Sequence, residues 1–128
     1  MNRVVLDASA LLAILNHEAG SEKLTPALLS TAVSSTVNLA EVQSKLVERG
    51  LTPDKAWRAT LSPVQEVAVF TAAHAKVTGS LIAETRSLGL SFGDRACLAL
   101  ALALKAPVYT ADRAWRNLNL DIRIHLIR

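Results

Sequence analysis

The sequence predicts an α/β fold with parallel strands, and three observations carry that expectation. Short apolar runs of strand character, among them Val4–Leu6, Ala32–Ser35 and Val108–Thr110, alternate with longer segments of helical period. The connections are brief, and strands separated by helices run parallel. The chain has 128 residues, 51% of them hydrophobic, which is ample to fill one core. No repeat, low-complexity segment or dividing linker interrupts it, so residues 1–128 are expected to form a single domain.

Val4–Leu6 reads as a short buried strand and Ala8–Leu15 as the helix after it, ending near Asn16 and His17. A second helix is expected over Gly20–Leu29, with Pro26 disturbing its shape. Ala32–Ser35 is the second strand. Asn38 opens an amphipathic helix in which Leu39, Val42, Leu46 and Val47 share one face, and Gly50 closes it. Thr52-Pro53 starts another, Thr as cap and Pro at the first helical position, and that helix ends before Pro63. Val64–Phe70 alternates as a third strand, with Val67 and Val69 on one face. Ala72–Leu88 reads as one long helix, weakened at Gly79 and followed by Gly89. Phe92–Lys105 is the most apolar helix and belongs at the centre. Val108–Thr110 as a fourth strand, a short helix over Arg113–Leu118 and a last strand over Ile122–Leu126 complete the series.

Four acids occupy equivalent places in this pattern. Asp7, Glu41, Asp94 and Asp112 each sit where an apolar stretch gives way to a helix, or one turn inside it. Their settings are VVLDASALL, SSTVNLAEV, LSFGDRACLALAL and VYTADRAW. In a parallel sheet the loops after the strands meet at one edge, so carboxylates far apart in sequence converge there. Such acids repel one another unless something positive binds, and hard divalent cations are the usual partners. Each acid also has a plain structural reading. Asp7 and Asp112 are placed to cap the next helix, while Asn38-Leu-Ala-Glu41 and Ser91-Phe-Gly-Asp94 have the form of capping boxes. The two readings are compatible, because a helix N-terminus tolerates a carboxylate well before any cation arrives. Recurrence at helix starts, unlike the scattered Glu48 and Glu84, favours a shared site.

The chain carries 14 Lys+Arg against 11 Asp+Glu. With four of the eleven acids in one cleft, the remaining surface has seven against the same 14 cations. A cationic surface around an acidic pit suits a polyanion such as nucleic acid. Arg95, Arg113 and Arg116 lie beside the acids and are candidates for holding nucleic-acid phosphates; solvated or ion-paired surface charge is the plain alternative. Two Trp, two Phe and one Tyr are too few for a base-stacking platform, so recognition of a nucleic acid would rest on its shape and backbone. Trp57 and Trp115 read as packing or interface residues. His17, His74 and His125 have no metal-ligand spacing. The one cysteine, Cys97, lies in ACLALALAL and reads as a core residue; without a partner for a disulfide it agrees with a reducing cytosol. That apolar run is about half of the roughly 20 residues a membrane span needs. Asp7 also splits the N-terminal apolar region that would otherwise imitate a signal peptide. A cytoplasmic protein with no membrane association is expected.

The four acidic segments, in this order and at compatible spacings, resemble the PIN domain family, and in particular the VapC-type toxin ribonucleases of toxin–antitoxin pairs. The resemblance runs from Met1 to the last strand and is thinnest over Leu51–Thr85. It implies a central parallel sheet in the order 3-2-1-4-5, Mg²⁺ or Mn²⁺ in the acidic cleft, and hydrolysis of phosphodiester bonds in a structured RNA, with tRNA the leading substrate. The family's acids fall on Asp7, Glu41, Asp94 and Asp112. The first three would be the main metal ligands and Asp112 would orient water or a second cation, with the hydroxyls of Ser9 and Thr110 in support. An antitoxin protein whose peptide crosses the cleft is implied as partner. A homodimer is expected as well, since symmetry is an easy way to cover the faces of Asn38–Arg49 and Thr52–Leu61 in so small a chain.

A phosphoacceptor receiver domain is similar in length and pattern, but it needs adjacent acids after the first strand, an acceptor Asp after a middle strand and a late Lys. Here Asp7 stands alone, Ala32–Ser35 leads to no Asp, and Ile122–Leu126 contains no Lys. Two readings within the family stay open: a PIN nuclease of RNA processing outside any toxin system, and a catalytically silent PIN binding module.

Overall fold

The computed structural model describes residues 2–128, and Met1 lies outside the described residues. Strands β1 (Val4–Leu6), β2 (Ala32–Ser35), β3 (Glu66–Ala68), β4 (Val108–Thr110) and β5 (Ile124–Leu126) form one sheet in the order β3-β2-β1-β4-β5. Every pairing is parallel, with Val5 opposite Val33 on one side and Val108 on the other. This is the expected 3-2-1-4-5 order. β1 is therefore central, and the chain leaves it at the same edge as it leaves β2 and β4.

Alternation along the strands divides the core in two. Val5, Val33 and Val108 point to one face, where they pack with Cys97, Leu98, Leu100 and Ala101 of α7 (Phe92–Leu104) and with Trp115. Leu6, Ala32 and Ile127 point to the other, against Ala10, Leu11 and Ala13 of α1 (Ala8–Leu15) and Leu39, Val42 and Leu46 of α3 (Thr36–Glu48). α2 (Pro26–Leu29) and α4 (Pro53–Leu61) complete that second layer, α5 (Ala72–Ser80) and α6 (Ile82–Thr85) the first. Burying each of these large aliphatic side chains contributes about 1.5–3 kcal/mol. Among the described residues no helix is long and apolar enough to cross a membrane.

Several expected elements are corrected. The helix expected over residues 20–29 is two short pieces, a 3₁₀ turn over Ser21–Lys23 and then α2, because Thr25 caps a new start with Pro26 at its first position. Gly20 takes φ +93 and lies so close to the Ile127 carbonyl that no side chain fits there. The long helix expected over Ala72–Leu88 breaks at Leu81 into α5, α6 and a 3₁₀ turn over Arg86–Leu88. At that break the Leu81 carbonyl is shared by the N–H groups of Glu84 and Thr85 and by the Thr85 hydroxyl. Side-chain hydroxyls that compete for helix carbonyls bend the chain in this way. The third and fifth strands are shorter than expected, and the helix after Asp112 is a 3₁₀ turn over Arg113–Asn117. α3 begins two residues before Asn38, capped by Ser35, whose hydroxyl accepts from Val37 N–H at 3.2 Å.

Candidate active site

Because all five strands run parallel, the segments after β1, β2 and β4 and the start of α7 share one edge of the sheet. Asp7 follows β1 directly and caps α1, accepting from Ala10 N–H at 2.8 Å. It is 2% exposed, so its carboxylate has almost no water. In place of water it has two hydroxyls: Ser9 donates to it at 2.8 and 2.9 Å and Thr110 at 2.6 Å. Those hydroxyls are oriented by the chain after β4. Ala111 N–H donates to Ser9 and Asp112 N–H to Thr110, at 2.8 and 3.0 Å, so each hydroxyl accepts from the backbone and keeps its own proton for Asp7.

Glu41 lies on α3 and is half-buried; its Oε1 accepts from Asn38 Nδ2 at 2.8 Å. The same Nδ2 donates to the Gly93 carbonyl of α7 at 3.0 Å. Asp94 stands in the first turn of α7, in a reciprocal capping box with Ser91. Asp112 caps the 3₁₀ turn after β4 through Ala114 N–H at 2.9 Å. Three of the four acids are thus helix caps as expected. Glu41 is not part of a capping box, since Asn38 sits inside the helix and turns its amide to Glu41.

The acids interact. Burial raises the Asp7 carboxyl to about 6, against the lowering effect of its three hydrogen bonds, and Asp94 adds repulsion. Burial likewise raises Glu41, opposed by Asn38 and reinforced by Asp94. Asp94 is raised by burial and then by Asp112, while its bonds to Ser91 lower it. Asp94 is therefore common to every repulsive pair. Cys97 is fully buried on the next turn of α7, and desolvation followed by the charges of Asp7, Asp94 and Glu41 pushes its thiol well above the usual range. A thiolate there is excluded at neutral pH, in line with a core role.

Among the described residues the two ion pairs, Arg3–Glu66 and Arg128–Glu18, leave these four acids without a fixed cationic partner. Nor does any group of three or more His, Cys, Asp or Glu side chains among them stand ready to hold an ion as it is. The local bonds account for this: Asp7, Glu41, Asp94 and Asp112 are each turned toward a neighbouring donor. Each carboxylate keeps lone pairs beyond those its donors occupy, so this all-oxygen, desolvated and mutually repelling set fits a hard divalent cation. Of the basic candidates, Arg113 and Arg116 are exposed, whereas Arg95 donates to the Thr78 carbonyl at 2.9 Å and ties α7 to the end of α5. Asn38 and Gly93, read from sequence only as members of capping patterns, both touch Glu41. The signal missed was Ser35, an earlier cap directly at the end of β2.

The sequence matches the PIN domain family model over residues 4–119. The chain belongs to the PIN domain family. No curated protein matches it. Among solved structures this PIN domain is similar to a chain of DNA-bound VapBC from Salmonella typhimurium, with a TM-score of 0.75 and 21% identity over 100% of both chains. It also resembles VapC20 of Mycobacterium tuberculosis, a sarcin–ricin loop cleaving toxin, with a TM-score of 0.71 and 20% identity over 94% of this chain and 98% of that one. VapBC-5 from the same organism, of the VapBC family of toxin–antitoxin systems, gives a TM-score of 0.64 and 19% identity, with 98% and 99% covered. At these identities the likeness is one of fold.

Proposed function

We propose that this PIN domain is a Mg²⁺- or Mn²⁺-dependent endoribonuclease that acts as the toxin of a toxin–antitoxin pair and hydrolyses phosphodiester bonds in a structured RNA, with tRNA the leading candidate. One observation carries the reading: four carboxyls at a single sheet edge, three of them raised by burial and coupled through Asp94, without a fixed cation. Keeping such groups together costs stability, and a bound cation offsets that cost. A divalent cation bound there would supply Lewis-acid charge to a phosphoryl oxygen and would acidify a water for attack. Asp7, Glu41 and Asp94 would hold it. Asp112 faces the same cleft from the β4 side and would orient water or a second cation. Ser9 and Thr110 hold the Asp7 carboxylate in place, and the exposed Arg113 and Arg116 on the turn that Asp112 caps are suited to flanking RNA phosphates.

The toxin assignment and an antitoxin partner draw support from the likeness to VapBC and VapC proteins; a cytoplasmic location and an antitoxin that places a basic side chain among the acids are proposed with them. A homodimer is proposed with them, supported by Val47, Leu51 and Trp57, apolar and 37–39% exposed on and between α3 and α4. The test is cleavage of total tRNA by purified protein with Mn²⁺. Asp7→Asn keeps the cap and should abolish cleavage with the fold intact, as should a chelator. Undiminished cleavage in either case would sink the metal-nuclease reading.

A further inference from the structure

We propose that Asn38 and Gly93 are positioning residues, a two-part seat that fixes the Glu41 carboxylate against the N-terminal turn of α7, beside Asp94. The inference rests on the metal-nuclease reading and gives these two residues a role within it.

Gly93 needs explaining. Gly20, Gly50 and Gly89 all take positive φ, the backbone region that favours glycine, and Gly79 faces open space. Gly93 has neither reason. It is buried, helical and in the first turn of α7, where alanine would be the better helix former. A Cβ at Gly93 would lie 2.5 Å from Cδ and Oε2 of Glu41 and closer still to Oε1. The volume a side chain would take is filled by the carboxylate, so the glycine is there for space.

Asn38 supplies the second part. It is 1% exposed, and one end of its amide lies between two acceptors, Glu41 Oε1 at 2.8 Å and the Gly93 carbonyl at 3.0 Å. Two acceptors identify that end as Nδ2. Its Oδ1 is then buried without a partner. A buried amide accepts that loss only where its other end is firmly held. The result is a triangle of Asn38, Glu41 and Gly93 in which α3 presents the carboxylate and α7 leaves room for it. Among the described residues Glu41 has no other side-chain hydrogen-bond donor, and Lys45, one turn along α3, adds only a favourable charge.

The experiment measures Mn²⁺ affinity by calorimetry on the RNA-free protein, together with the melting temperature of the metal-free form. Gly93→Ala should weaken Mn²⁺ binding by tenfold or more without lowering the metal-free melting temperature. Asn38→Ala adds no bulk and carries the same expectation for Mn²⁺, so the test stands even where Gly93→Ala fails to fold. Glu41→Asp withdraws the carboxylate by one methylene, so Gly93→Ala with Glu41→Asp should bind Mn²⁺ more tightly than Gly93→Ala alone, a rescue that a purely structural role would not give. Wild-type Mn²⁺ affinity in folded Gly93→Ala and Asn38→Ala, with affinity lost in Asp7→Asn, would overturn the seat and leave the metal reading standing. A wild-type protein that takes up no Mn²⁺ would overturn both.

Discussion

Thr110 donates to Asp7 across 103 positions of sequence, at 2.6 Å and fully buried. The contact joins β4 to the segment after β1, and it is the shortest of the bonds that replace water around the most deeply buried acid. Thr110→Val keeps the shape and removes the hydroxyl. It leaves Asp7 one donor short and Asp112 N–H without an acceptor, so a loss of about 1–3 kcal/mol is expected from each unsatisfied group. In an Asp7→Asn background the loss should be smaller, because the charge is already gone; urea melts of the four proteins at pH 7 measure this coupling. Additive losses would show that the hydroxyl does not serve Asp7.

The pH dependence of the metal-free protein follows from Asp7. Its carboxyl stands at about 6 in the fold against 3.8 when free. Between those values the folded state holds more protons than the unfolded state, so stability falls as pH rises from about 4 to about 6 and is level above that. The difference corresponds to about 3 kcal/mol. Glu41 and Asp94, also raised, act in the same direction. Asp7→Asn should lose its part of this slope, so the stability gap between variant and wild type should widen in favour of the variant over that range. A constant gap would mean that Asp7 is not desolvated as described.

Divalent cations should reverse the penalty. At a cation concentration 100 times Kd the folded state gains about 2.7 kcal/mol, seen as a higher Tm at fixed ionic strength. Asp94→Asn should reduce that gain, because Asp94 repels both Asp7 and Glu41. Its metal-free form should be no less stable than wild type, since Asn can accept from Ser91 N–H as Asp does. Equal metal responses in the two proteins would remove Asp94 from the ligand set.

Light scattering should give twice the 13.7 kDa chain mass at micromolar concentration. Trp57→Glu, in the middle of α4 and 37% exposed, should shift that mass toward one chain without loss of helicity. A wild-type protein that is strictly monomeric would end the homodimer proposal.

The cleavage products report on the attacking group. Hydrolysis by water leaves a 5′-phosphate and a 3′-hydroxyl, whereas attack by the RNA 2′-hydroxyl leaves a cyclic phosphate. End-group labelling of products made with Mn²⁺ should find the former. Cyclic ends would keep a nuclease and exclude the mechanism given to the acids here.

Elements defined by local chemistry were legible in the sequence. Val4–Leu6, Ala8–Leu15, Ala32–Ser35, Pro53–Leu61 and Val108–Thr110 all stand where apolar runs, caps and Pro place them. The break at Leu81 was legible only as a weakness at Gly79 two residues earlier, because the break itself follows from the Thr85 hydroxyl bonding back to the Leu81 carbonyl, as the Thr78 hydroxyl does to that of His74. At the candidate site the four acids could be picked out, since strand ends and helix starts fix where they fall, whereas the two supporting hydroxyls came from the family resemblance. The partners of Glu41 could not. Asn38 looked like a cap because Asn-x-x-Glu is a capping pattern, and Gly93 looked like a spacer within the Ser91-Phe-Gly-Asp94 pattern. Only the packing of α3 on α7 makes one a donor and the other a vacancy for a carboxylate.

The order of the sheet sets the order of assembly. β1 lies between β2, which follows it closely in sequence, and β4, whose first residue comes 104 positions after Val4. Pairings of that separation are the slow ones in folding. During synthesis Asp7 emerges first, Glu41 and Asp94 follow, and the hydroxyl of Thr110 comes after all three. The proposed ligand Asp7 is thus made long before Asp94, and the strand that carries its buried hydroxyl partner comes later still. Until β4 pairs with β1, the most deeply buried acid of the edge has no hydroxyl from Thr110 to replace its water.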